Sequence, residues 1–178
     1  MLLQTATDEI EIPIHLVSPD TLPEALSALG SQAIQWAEAN GFDGKPGQHC
    51  LVPGFDSAPH AVFFGFNADQ PLSLGALARK LTPAVYKISN PPADGTTAEL
   101  AVLGWCLGGY HFERYKADVA ERPFLVCPDS VSFERVGRAS AGTALCRDLI
   151  NTPTSDLGPS ELEAAIHMLG ERFGASVT

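Results

Sequence analysis

The stretch Arg147–Pro159, which reads RDLINTPTSDLGP, is rich in turn-forming residues and separates two segments with helical periodicity. In the first segment, apolar residues recur every four positions and predict a helix over Arg138–Ile150. Pro153 disfavours the helical conformation at the residue before it, so we expect this helix to end by about Asn151. The region is therefore predicted to fold as helix, turn and helix.

The segment after this stretch carries an apolar stripe. Pro159 suits the first position of a helix and Gly158 suits its cap, while Gly174 can end the helix in a left-handed conformation. The stripe consists of apolar residues at spacings of four, three and four, namely Leu162, Ile166, Leu169 and Phe173. A helix with such a face packs it against a partner.

A second informative segment, Gly104–Lys116, reads GWCLGGYHFERYK. Together the two segments resemble the leucyl (cytosol) aminopeptidase family. In that family a glycine–tryptophan helix ends in phenylalanine, arginine, tyrosine and lysine, and an arginine–aspartate–leucine run leads into an asparagine–threonine–proline turn. Here the second run is Arg147–Pro153, followed by Leu157 and Pro159. The resemblance covers most of the chain and is carried mainly by residues 104–162.

The resemblance implies a chain of two parts. Residues 1–137 would form the family's N-terminal α/β domain, a three-layer α/β/α sandwich similar in fold to macro domains. Residues 138–178 would form connecting interdomain helices and the truncated start of the catalytic domain. Because the apolar stripe would then lack its partner, we expect the second helix to self-associate or to be poorly ordered.

The resemblance also implies a function for the parent enzyme. Members of the family release N-terminal amino acids from peptides with two divalent metal ions, Mn or Zn. Lysine, aspartate and glutamate residues of the catalytic domain hold these ions. The N-terminal domain contributes to hexamer assembly and shapes access to the active sites. We therefore expect this chain to be inactive alone and to contact its own catalytic domain and other subunits, with peptides as substrates of the parent.

Strand and helix patterns alternate along the first part of the chain, which independently predicts an α/β sandwich. The predicted strands are Ile10–Val17, Cys50–Val52, Ala61–Phe66, Ala84–Ile88 and Phe124–Cys127. The predicted helices are Pro23–Leu29, Gln32–Asn40, Leu72–Leu81 and Thr96–Lys116. Pro13 suggests that the first of these strands lies near a sheet edge. Gly104 and Gly108 permit close packing of the last of these helices, which should be buried on most sides.

Composition and charge restrict the class of protein. The chain has 178 residues, of which 45% are hydrophobic, and a net charge of −10. Residues 1–78 contain nine acidic residues and Lys45 as their only base, so this half should repel phosphate backbones. DNA binding, which some bacterial members of the resembled family show, is therefore not expected. We expect no membrane association and a cytoplasmic location, since no targeting segment or long apolar run is visible.

The residues that could carry chemistry do not form a motif. The five histidines are isolated, and none begins an HExxH pattern: His15, His49, His60, His111 and His167. Cys106 and His111 would lie about 140° apart around a helix, so they should not face each other. His49 and Cys50 should point to opposite sides of a strand. The four scattered cysteines are typical of reduced, structural thiols.

Two further patterns are also read as structural. Residues 137–142 give GxxSxG, which is one position off the serine hydrolase elbow and lies inside a predicted helix. The glycines at 104, 108 and 109 lie within a helix rather than at a strand–helix turn, so packing is favoured over a phosphate cradle. The sequence thus assigns no catalytic, cofactor-binding or metal-ligating residue.

Two alternatives remain open at this point. The first is a stand-alone, macro-domain-like module that binds a nucleotide such as ADP-ribose, although the expected glycine-rich loop is not seen. The second is a self-contained hydrolase with an unrecognised site.

Overall fold

A six-stranded mixed sheet organises the chain. The structure, a computed structural model, describes residues 2–5, 9–54, 59–115 and 121–178. The strands lie in the order β1-β6-β5-β2-β4-β3, and every neighbouring pair is parallel except β3 with β4. They are β1 (Leu3–Gln4), β2 (Glu11–Val17), β3 (His49–Pro53), β4 (Pro59–Gly65), β5 (Val85–Ile88) and β6 (Phe124–Val126).

Within the described residues, five α-helices and one 3₁₀ helix surround or follow this sheet. They are α1 (Leu22–Leu29), α2 (Ser31–Ala39), the 3₁₀ helix (Pro71–Arg79), α3 (Gly95–Gly108), α4 (Phe133–Asn151) and α5 (Pro159–Phe173). The two predicted short helices, the predicted strands at Cys50–Val52 and Ala61–Phe66 and the second junction helix are confirmed.

Alternation of side chains along the strands creates two cores, one on each face of the sheet. On β4, Val62 and Phe64 join a cluster that includes the 3₁₀ helix, α3 and the start of α4. Ala61 and Phe63 point the other way and join α1 and α2. The predicted three-layer α/β/α architecture is therefore confirmed. The larger cluster also contains Trp105, whose indole nitrogen donates to the carbonyl of Leu2 at 3.1 Å.

The 3₁₀ helix and α3 cross at van der Waals contact through three glycines. A Cβ on Gly108 would lie 2.0 Å from the carbonyl oxygen of Gly75, and one on Gly75 would lie 2.3 Å from that of Gly104. A Cβ on Gly104 would in turn lie 2.6 Å from the carbonyl oxygen of Leu72. Gly104 and Gly108 therefore serve backbone packing, as the sequence predicted, whereas Gly109, which was also predicted to lie within the helix, follows its last residue.

Strand β2 is central rather than near an edge, so the prediction from Pro13 is wrong. The register of β2 with β5 begins at Glu11, but pairing with β4 begins only at Ile14. Pro13 is tolerated because the strand is paired on one side only at this position.

Helix boundaries differ from prediction at three places. Helix α3 ends at Gly108 instead of continuing to Lys116, which itself lies outside the described residues. Two consecutive glycines have low helix propensity, and arginine side chains bind the last carbonyls instead. Helix α4 begins at Phe133 rather than Arg138, because Ser132 caps it and accepts a hydrogen bond from the Arg135 amide at 3.3 Å.

The third difference is the segment predicted as an α-helix over Leu72–Leu81, which is a 3₁₀ helix over Pro71–Arg79. The predicted boundary between the two domains falls inside α4, and the division of the chain into residues 1–137 and 138–178 stays a prediction.

Replacement of Gly108 by alanine should destabilise the fold. The new methyl group would overlap the backbone of Gly75, which cannot move aside as a side chain can. We therefore expect the free energy of unfolding to fall by about 3 kcal/mol, or the variant to fail to fold. The matched control is Gly142→Ala in α4, where nothing lies within 4 Å of the added Cβ. That change should stabilise by about 0.5–1 kcal/mol. Urea unfolding measures both, and equal effects would contradict the packing argument.

Candidate functional site

The two motif segments of the sequence meet in space. After α3 ends, residues 110–115 run along the C-terminal part of α4 and the turn that follows it. We call residues 110–115 the strap and residues 147–158 the junction. Neither periodicity nor spacing could predict this contact, because the two segments are separated by about 40 residues in sequence.

Arg147 joins α4 to the end of α3. Its guanidinium donates to the carbonyl of Leu107 at 2.7 Å and lies 5.2 Å from the centre of the Tyr110 ring. Arg79 donates to the neighbouring carbonyl of Gly108 at 2.6 Å. Two positive charges thus bind the negative end of the α3 dipole, where unpaired carbonyls need donors.

The hydroxyl of Tyr110 connects the strap to α4. It donates to Asp148 at 2.7 Å and accepts from the side-chain amide of Asn151 at 3.2 Å. Desolvation, followed by the hydrogen bond to the Asp148 carboxylate, raises the pKa of Tyr110. The hydroxyl therefore keeps its proton at neutral pH and remains a donor.

The rest of the strap contacts the turn after α4. Arg114 donates to the hydroxyl of Thr152 at 3.4 Å, and Thr152 donates to the carbonyl of Asp148 at 2.7 Å. The hydroxyl of Tyr115 donates to the carboxylate of Asp156. This hydrogen bond is the largest cause that raises the pKa of Tyr115. Each contact pairs a polar strap side chain with a donor or acceptor of the junction, so the junction is held by directional bonds.

Helix α5 begins and ends where the sequence predicts. Gly158 is its N-cap residue, and the Glu161 carboxylate accepts from the Gly158 amide at 2.9 Å, while Gly174 has φ of 65°. The predicted apolar stripe is between 40% and 64% exposed. Among the described residues of this helix, Gly170 is the buried one. About half of the stripe's surface is therefore open to solvent within the described part of the chain.

Two surface depressions flank α5. A cleft of about 610 Å³ lies between the strap and the faces of α4 and α5, with an apolar floor that includes Leu149 and Met168. A groove of about 460 Å³ lies between α4 and α5 and is lined by Leu145, Leu169 and Phe173 among others. The two depressions beside α5 thus present a largely apolar, exposed surface, which is suited to binding another protein surface.

The histidines and cysteines lie on several different elements of the fold. No group of three or more His, Cys, Asp or Glu residues placed to hold a metal occurs within the ranges that the structure describes. His49 is half-buried and Cys50 is buried in the smaller core. The GxxSxG segment lies inside α4. No described helix is long and apolar enough to cross a bilayer.

Cys106 is the most strongly perturbed of the thiols. Burial is the largest cause that raises its pKa, from an ordinary value of 9.0 to about 11. The predicted separation of Cys106 and His111 around one helix is wrong, because His111 lies after the end of α3, and both residues line one cavity of about 210 Å³. A thiol with this pKa is neutral at physiological pH and is a poor nucleophile. The prediction of a structural thiol agrees with this position.

Replacement of Arg147 by methionine should cost about 1–2 kcal/mol in the free energy of unfolding, because the Leu107 carbonyl loses a charged donor. The matched control is Arg138→Met on the same helix. Arg138 is exposed and pairs with Glu134 one turn away at 3.6 Å, so its replacement should change the free energy of unfolding by no more than about 0.5 kcal/mol. Equal losses in urea unfolding would contradict the role of Arg147.

The buried thiol predicts a fall in stability at alkaline pH. The folded pKa of Cys106 is raised, so the unfolded chain releases this proton first, and the stabilisation present below pH 9.0 is lost as the pH rises towards about 11. Over this pH interval, the free energy of unfolding of the Cys106→Ala variant should fall by about 2 kcal/mol less than that of the unmodified chain. Urea unfolding at several pH values checks this; parallel profiles would contradict it.

Comparison with known proteins places these features in a family. Residues 12–128 match the family described as "M17 aminopeptidase, N-terminal domain". A probable cytosol aminopeptidase of Rhizobium rhizogenes is 31% identical over 156 residues, which are 76% of this chain and 30% of that protein. A second, from Mycobacterium ulcerans, is 34% identical over 116 residues, which are 58% of this chain and 22% of that protein.

A solved structure extends the likeness to the whole chain. The crystal structure of the cytosol aminopeptidase from Coxiella burnetii superposes with a TM-score of 0.89 and 31% identity, and covers 99% of this chain. This chain spans between 22% and 39% of the length of these three relatives. Because the family match covers well over half of its residues, the chain belongs to the M17 aminopeptidase family, of which it carries the N-terminal domain.

Proposed function

We propose that this chain is the assembly and access domain, with its interdomain helices, of a leucyl aminopeptidase-like metallopeptidase that releases N-terminal amino acids from peptides. The chain alone is inactive. The observation that carries this proposal is the exposed apolar face of α5, in a chain that belongs to the M17 family.

Helix α5 needs a partner on physical grounds. It has 15 residues, and an isolated helix of that length is marginal in water. Its stripe is half exposed in this chain, and tertiary packing of such a face normally supplies most of a helix's stability. The catalytic domain is the proposed partner, since the C. burnetii relative is more than twice as long as the region matched here.

The metal chemistry of the family belongs to that partner. Two divalent metal ions, Mn or Zn, would polarise the scissile carbonyl and activate water there. The residues of this chain do not fit such a site, because no described group of three ligating side chains comes together. The role of this chain would therefore be to position other parts of the enzyme. It would orient the catalytic domain, take part in a hexamer and shape the access of peptides in the cytoplasm.

The stand-alone nucleotide-binding module has no support. The relatives described above are named as aminopeptidases. For the self-contained hydrolase, Cys106, Ser140 and His111 line one small cavity of about 210 Å³, but burial raises the pKa of Cys106 to about 11, which disfavours a thiolate nucleophile.

Activity of this chain should be compared with that of the protein obtained by continuing the reading frame past the codon for Thr178. The chain alone should not hydrolyse leucine amide in the presence of Mn²⁺ or Zn²⁺, whereas the longer protein should. Activity of the short chain would place a metal site within it. A longer protein without peptidase activity, or a stop codon after Thr178, would overturn the proposal.

Ile166→Asp tests the docking face separately from catalysis. Ile166 is 48% exposed in this chain, so the change should alter the free energy of unfolding of the chain by no more than about 0.5 kcal/mol. In the longer protein, the same substitution should lower the free energy of unfolding by about 2 kcal/mol or more, because a buried carboxylate would replace an apolar contact. His167→Gln, at an exposed neighbouring position, is the control. Equal costs in both proteins would contradict docking through this face.

A further inference from the structure

Helix α4 is attached to the α/β domain at two places that differ in chemistry. At its start, Val136 is 2% exposed and belongs to the larger core, and Ser140 is also buried. From residue 141 to the end of the helix, every residue is half-buried or exposed. The first attachment is therefore apolar and part of the core, while the second must be made by other means.

The second attachment is polar and consists of the strap. Three strap residues bind three positions of the junction through side chains: Tyr110 to Asp148, Arg114 to Thr152, and Tyr115 to Asp156. Tyr115 is 54% exposed, and Asp148 is exposed. Contacts of this kind compete with water and open at a lower free energy than a buried core does.

The direction of α5 depends on this second attachment. The helix follows the junction directly, and in the described structure its single buried residue, Gly170, is covered by the chain's own Ala175 and Val177 rather than by the α/β domain. Asp156, which Tyr115 binds, lies three residues before the start of α5. A change at the strap would therefore move α5 without disturbing the sheet.

We propose that the strap is a releasable latch: when it is fastened, the junction and α5 are held against the α/β domain, and when it opens, α5 swings about the turn at residues 152–158 while the sheet and its two cores stay folded. The latch goes beyond the docking function proposed above, because it concerns the orientation of α5 in this chain alone. A partner that binds α5 in another orientation would select the open form through its differential affinity.

The latch has an ordered set of parts. Arg147, which binds the Leu107 carbonyl and the Tyr110 ring, holds the end of α4 on α3. Tyr115 and Asp156 lie furthest along the chain, next to α5, so their bond sets the turn rather than the position of α4. Loss of the Tyr115 contact should consequently free α5 alone, whereas loss of Arg147 should also loosen the end of α4.

Distances between two spin labels test the latch in the full chain. One label is attached at Glu163→Cys on α5 and the other at Gln32→Cys on α2, with the exposed thiol removed by Cys146→Ser. The test variants are Tyr115→Phe and Asp156→Asn, each of which removes the donor or weakens the acceptor of one bond. The control is Glu171→Gln, an exposed charge change on α5. Circular dichroism and urea unfolding report whether the sheet remains folded.

We expect one narrow distance distribution in the unmodified chain and a broad or shifted one in both test variants, with the open population raised about tenfold and the sheet still folded. The control should keep the narrow distribution. The proposal is overturned if the test variants keep the distribution of the unmodified chain, if the control broadens equally, or if the unmodified chain is already as broad as the variants. In the same variants, the rate of amide hydrogen exchange should rise at residues 153–173 and stay unchanged in the rest of the chain.

Discussion

The close crossing of α3 with the 3₁₀ helix is the contact on which the rest of the structure depends. Gly75, Gly104 and Gly108 bring the two backbones together without any Cβ between them. This crossing places the tightly packed face of α3 over the sheet, where Trp105 is completely buried. Helix α3 stops just beyond this crossing, where the chain leaves it at the second of two consecutive glycines.

The end of α3 then determines the position of everything that follows. Its last carbonyls are bound by Arg79 from the 3₁₀ helix and by Arg147 from α4. One helix terminus therefore links the domain to the junction, and the negative end of its dipole attracts both guanidinium groups. The strap that follows α3 continues the same link towards α5 through tyrosine hydroxyls and carboxylates.

The two kinds of attachment suit the role proposed above, in which the domain is stable by itself and is positioned against the catalytic domain. The apolar cores hold the sheet and its helices, and burial at this scale is not easily reversed. The polar contacts of the strap and junction hold only the orientation of α4 and α5. Such exposed contacts contribute little to the free energy of unfolding. For an N-terminal domain of the M17 family, this arrangement separates the folding of the domain from the placement of the surface that it presents.

The sequence by itself determined the alternation of strands and helices, the helix–turn–helix after the sheet and the family to which the chain belongs. These follow from local periodicity, from Pro153 and Pro159, and from the two motif segments, all of which are readable without tertiary contacts. Only the tertiary structure decided that Pro13 lies on a central strand, because sheet order is set by long-range pairing. It also decided where α3 stops and that the strap binds the junction, since Arg147 and Tyr110 meet their partners only after distant segments pack together.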